Sequence, residues 1–150
     1  MSAPGNELSK SEASIFEGLI GYHLRRLSVA VMTDLADSLA PLGLRPAEAS
    51  VLFMIDANPG ITQSDVAKEL GILRANMTPL IAALVKRDLI QREPVDGRSQ
   101  ALTLSSRGDA LTRKAWLITR QHENRMFGTL SESARIRVIA QLRGLWRHAR

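Results

Sequence analysis

Cysteine is absent from all 150 residues, which excludes disulfide scaffolds, thiolate metal sites and cysteine nucleophiles together. No stretch approaches the roughly 18 apolar residues of a membrane span. The start of the chain, Met1 to Lys10, lacks the basic residues and apolar core of a secretory signal. A soluble, cytoplasmic protein without membrane contact is therefore expected. The ten glycines are scattered, so no glycine-rich phosphate loop is present. Ser, His and Asp all occur, but no strained strand-to-helix turn presents a nucleophile. His23, His122 and His148 fall in separate predicted helices without carboxylate or cysteine partners at ligand spacing. Neither an enzyme, a metal site nor a cofactor is expected.

What is present is the composition of one globular domain, with 45% apolar residues. The net charge is +5, and sixteen of the twenty bases are arginine. Residues 1–75 carry 6 bases and 9 acids, whereas residues 76–150 carry 14 and 6. Positive charge concentrated in one half suits a polyanionic partner, although a basic surface also arises without one.

After a polar arm at residues 1–14, the pattern turns helical. Ile15, Leu19, Leu24, Leu27, Val31 and Leu35 predict one long amphipathic helix to about Leu39, stopped by Pro41 and Gly43. Pro46 suits the first turn of a second helix, with Val51, Leu52, Met54 and Ile55 as its apolar set, ending at Asn58-Pro59-Gly60. Thr62 and Asp65 imitate a capping box for a short third helix, and Gly71 stands where a left-handed terminator belongs. A fourth helix is expected from about Arg74 through Lys86. The period then drops toward two on either side of Asp96-Gly97, a two-residue turn signal for a small hairpin whose Pro94 requires an edge strand. Ser105 or Ser106 opens a fifth helix to about Thr129, and Ser131 opens a sixth with Ile136, Ile139, Leu142, Leu145 and Trp146 as its apolar stripe.

Gln63 to Ala82 fits the twenty-residue helix-turn-helix pattern. Ala67 lets two helices cross closely and Gly71 makes the turn, while Val66, Leu70, Ile72, Met77 and Leu80 fix the second helix across the first. Two core helices joined by a glycine turn would read the same way. A following hairpin with Arg92 before its turn and Arg98 beyond it favours a basic wing over a solvated loop. The candidate DNA contacts are Thr62, Gln63 and Ser64 at the third helix, Arg74, Asn76 and Thr78 at the fourth, and Arg92 and Arg98 on the wing.

Asp96-Gly97-Arg98-Ser99 with Leu102-Thr103-Leu104-Ser105-Ser106-Arg107-Gly108 resembles the wing signature of the MarR (multiple antibiotic resistance regulator) family of bacterial transcription factors. Gly21 to Arg26, Asn58 to Gln63 and Ile72 to Met77 are similar to further stretches of the family, and the resemblance covers roughly residues 15–150. It departs in two places. Ser105 replaces the signature threonine, and the fourth helix has Leu73 where a capping residue belongs and Pro79 inside it, which removes a backbone bond.

The resemblance implies a mainly α fold with a small β-hairpin: a winged helix-turn-helix lobe at 46–105 and a helical dimerisation lobe from 15–44 and 106–150. It implies a homodimer on an inverted repeat in double-stranded DNA. It also implies a cleft, between the first, second and fifth helices, for a small aromatic carboxylate or its thioester. There His23, Arg26, Met54, Trp116 and Arg120 would supply a cation and apolar walls. The alternative is a ligand-independent architectural or constitutive DNA-binding protein.

Overall fold

Residues 15–97 and 99–149 are described by the computed structural model. The polar arm expected at 1–14 and the wing's Arg98 lie outside the described residues. Residues 15–17 form a single helical turn, and α1 runs Ile20–Leu39. The one long helix expected from Ile15 is thus interrupted: Leu19 is extended, with φ −101° and ψ 111°. Gly18 precedes it, and a glycine inside a helix costs about 0.5–1 kcal/mol relative to alanine. Contacts across the break compensate for the missing helix. His23 Nε2 donates to the Glu17 carbonyl at 2.8 Å, and Tyr22 stacks on Phe16 with centroids 5.3 Å apart.

A 3-10 turn, Ala40–Leu42, and Gly43 at φ 64° end α1. α2 spans Pro46–Ala57 with Pro46 in its first turn, and the Glu48 carboxylate accepts from the Arg45 backbone N–H at 2.8 Å. Thr62 caps α3, Gln63–Leu70: its hydroxyl accepts from the Asp65 N–H at 3.2 Å and donates to the Asp65 carboxylate at 2.7 Å. Gly71 terminates α3 at φ 64°. α4 runs Arg74–Lys86 as one continuous helix with Pro79 inside it.

The β structure is larger than a hairpin. β1, Ile61–Thr62, joins β2, Ile90–Pro94, and β3, Gln100–Leu104, in an antiparallel sheet ordered β1-β3-β2. Leu102 pairs with Arg92 on one side and Ile61 on the other. Pro94 lies on the edge strand, as its missing donor requires. The connection is not a two-residue turn, since Pro94 pairs with Gln100 and Val95 N–H donates to the Ser99 carbonyl at 3.0 Å. The Asp96 carboxylate accepts from Ser99 N–H at 2.7 Å, and this side-chain turn holds the wider loop.

α5, Ser106–Phe127, and α6, Glu132–His148, complete the chain, each capped by the preceding serine. Leu52, Ile55, Val66, Met77, Ile81 and Leu102 are fully buried where α2, α3, α4 and the sheet meet. α6 has no buried residue; Ile136, Ile139, Leu142, Leu145 and Trp146 are all exposed. In α1 only Leu39 is buried. Among the described residues, no single helix is long and apolar enough to cross a membrane.

Candidate nucleic-acid interface and effector cleft

The start of α3 and the start of α4 are locked together by polar side chains. Gln63 Nε2 donates to Thr78 Oγ1 at 3.0 Å, and Thr78 Oγ1 donates in turn to the Arg74 carbonyl at 3.4 Å. This link crosses fifteen residues of sequence and fixes the first turn of α4 on that of α3. Thr62, Gln63, Ser64 and Arg74 line a hollow of about 170 Å³ together with Ser99 and Gln100 from the base of the wing. Asn76 and Thr78 are exposed on the first turns of α4, and Arg92 is exposed on β2. Seven of the eight residues expected to meet DNA are therefore described, and four share one concave surface; Arg98 lies outside the described residues.

The electrostatics of that surface favour an anion. α4 begins without a side-chain cap and with no acid in its first turn. The partial positive charge of its N-terminus and the Arg74 guanidinium therefore act in the same place. The missing cap, a departure from the resemblance, leaves α4 amides available to a partner. The other end of α4 is clasped by Arg87. Its Nη1 meets Glu48 Oε1 at 3.3 Å and its Nη2 donates to the Gly43 carbonyl at 2.9 Å. Sequence reading missed this clasp because its partners lie 39 and 44 residues away.

The expected effector residues occupy separate places in the single chain. Trp116 meets Phe53 edge-on, centroids 5.1 Å apart, beside a hollow of about 220 Å³ that Asp56 and Arg113 also line. Arg26 lines a hollow of about 400 Å³ with Tyr22, Arg25 and Val29. Met54 borders a third, of about 550 Å³, beside Asn58 and Lys68. His23 is exposed and engaged with Glu17, and Arg120 is exposed on α5.

Between α1 and α5 lies a polar cluster absent from the sequence reading. Asp34 Oδ2 accepts from Arg125 Nη2 and meets His122 Nδ1, both at 2.6 Å, and Arg125 Nη2 also donates to Ser38 Oγ at 2.8 Å. The hydrogen bond from Arg125, and after it that from His122, holds the Asp34 carboxyl below its usual range. The fold thus gives His122 a carboxylate neighbour that lies 88 residues away in sequence, outside any ligand spacing. Of the cluster's side chains only the His122 ring is buried, and its Nε2 has no hydrogen-bond partner among the described residues. A signal was available: Val31, Asp34, Leu35 and Ser38 follow helical spacing, which puts a carboxylate on the inward stripe of α1. No group of three metal-ligating side chains occurs among the described residues.

Two crossed helices held by a polar lock, with a three-stranded sheet at their side, define a winged helix-turn-helix protein. A sequence model of the MarR family matches residues 42–99. A protein of Thauera aromatica, named as a transcriptional regulator for the hcr operon, is 30% identical over 134 residues, covering 87% of this chain and 80% of that protein. The transcriptional repressor CouR bound to a 23-mer DNA duplex superposes with a TM-score of 0.79 at 34% identity, covering 97% of this chain and 99% of CouR. CouR bound to p-coumaroyl-CoA gives a TM-score of 0.77 at 35% identity, covering 86% and 92%. The chain belongs to the MarR family of DNA-binding transcriptional regulators.

Proposed function

We propose that the chain acts as a homodimeric repressor that binds an inverted repeat in double-stranded DNA and releases it when a small aromatic acid, or a thioester of one, binds. The observation that carries the DNA reading is the Gln63–Thr78–Arg74 lock, which presents the uncapped start of α4 beside the wing. An α-helix presented this way enters a major groove, where Arg can pair with guanine and Asn with adenine. The dimer is supported by α6, whose Ile136, Ile139, Leu142 and Leu145 stay exposed among the described residues. A two-fold axis matches an inverted repeat.

Effector release is supported by the relatedness to CouR, whose structures hold a DNA duplex in one case and p-coumaroyl-CoA in another. His23, Arg26, Met54, Trp116 and Arg120 remain the residues assigned to that ligand. They converge only if the second subunit or the ligand draws the separate hollows together. A ligand acts by its difference in affinity between two conformations, and a typical coupling of ~1–3 kcal/mol weakens DNA binding about 5- to 150-fold. The test is titration of duplex DNA with the protein in the presence of aromatic carboxylates and their coenzyme A thioesters. Release by one such compound supports the reading. Unchanged affinity with every compound leaves a ligand-independent architectural or constitutive binder in its place.

A further inference from the structure

Three cations gather around a hollow of about 280 Å³ at the end of α4 remote from the proposed DNA surface. Arg87 reaches it from the turn after α4, while Arg107 and Lys114 reach it from α5. Positions 107, 111 and 114 share one helical face by their spacing. Leu42, Leu89 and Leu111 supply an apolar lining, and among the described residues no carboxylate lines the hollow. Arg87 is held in place by Glu48 and the Gly43 carbonyl. Arg107 and Lys114 are exposed, and among the described residues neither has an ion-pair partner.

We propose that this hollow binds a small organic anion, a phosphate or carboxylate head on an apolar body. Arginine forks bond such heads in two-point geometry, and lysine adds a mobile point charge. The leucines accept the apolar body, as the walls of small-molecule sites do. The hollow lies at the opposite end of α4 from the proposed DNA surface, since 1.5 Å of rise per residue puts Arg87 about 20 Å along the helix from Arg74. The effector residues assigned above do not line it. An anion here bridges the turn after α4 to α5, and so couples to the placement of the recognition helix.

Calorimetric titration of the full chain with phenyl phosphate, benzoate and inorganic phosphate tests the site. Phenyl phosphate is expected to bind tighter than inorganic phosphate, and its affinity to fall about tenfold or more in the Arg107→Gln/Lys114→Gln double variant. The stronger of phenyl phosphate and benzoate identifies the head group. The double variant is expected to keep the parent's melting temperature without ligand and its affinity for duplex DNA. Equal phenyl phosphate affinity in parent and double variant would overturn the site. So would a loss seen in Trp116→Ala instead, which puts the ligand beside Phe53. Inorganic phosphate binding as tightly as phenyl phosphate would overturn the apolar half of the proposal. A smaller salt slope for DNA binding in the double variant would make these cations DNA contacts.

Discussion

A Cβ built on Gly108 would lie 1.9 Å from the carbonyl oxygen of Leu89. The first turn of α5 rests its bare backbone on the turn that ends α4. Ser105 completes the joint: its N–H donates to that same Leu89 carbonyl at 3.1 Å and its hydroxyl to the Asp88 carbonyl at 2.6 Å, while it accepts from Gly108 N–H at 2.9 Å. Asp88 adopts φ 55° to make the turn. The serine and glycine of the wing signature are thus structural. Gly108→Ala is expected to destabilise the chain by about 1–3 kcal/mol, the usual range for overpacking. Chemical denaturation checks it, and a stability equal to the parent's contradicts the joint.

The Asp34 cluster predicts a pH dependence. A carboxyl whose folded pKa is depressed stabilises the fold fully above its unfolded value, about 3.9. That contribution is lost as pH falls through the lower folded value. Arg125 and then His122 cause the depression. Asp34→Asn should lower stability at neutral pH and flatten the loss of stability below about pH 4. Denaturant unfolding at several pH values measures both, and parallel acid limbs in parent and variant would count against the cluster.

Local devices were legible in the sequence because their partners are local. Thr62 with Asp65, Gly71, and Ser105 with Gly108 each act within a few residues. The break at Leu19 was not legible, since its apolar neighbours keep helical spacing while Gly18 alone loosens the backbone. β1 escaped because two residues carry no period. The Asp34–His122 and Arg87–Glu48 pairs span 88 and 39 residues, and only the folded topology brings them together. The residues of the candidate DNA surface could be grouped from sequence because they lie within one supersecondary unit. The residues proposed for the effector come from three helices, and the single chain does not assemble them.

Division of labour at the DNA surface is the third expectation. Asn76, exposed as the third residue of α4, should set base preference, so Asn76→Ala changes the preferred sequence. Arg98→Ala should weaken every site and reduce the salt slope by about one. Binding selections at two salt concentrations separate the effects. Equal slopes for Arg98→Ala and the parent refute the wing assignment.

The exposed stripe of α6 predicts a fourth result. Leu142→Glu places a charge beside Ile139 and Leu145, both exposed among the described residues. Burying an unpaired charge is far costlier than exposing one. Sedimentation should show a dimer for the parent and dissociation for the variant at the same concentration. A variant as dimeric as the parent moves the interface elsewhere.

Footprinting of the DNA upstream of the protein's own gene tests the central claim most directly. A dimer presenting two α4 starts should protect an inverted repeat whose half-sites lie about 10 base pairs apart, centre to centre, or a multiple of that. Uniform protection of all duplexes, or binding to single strands alone, would contradict it.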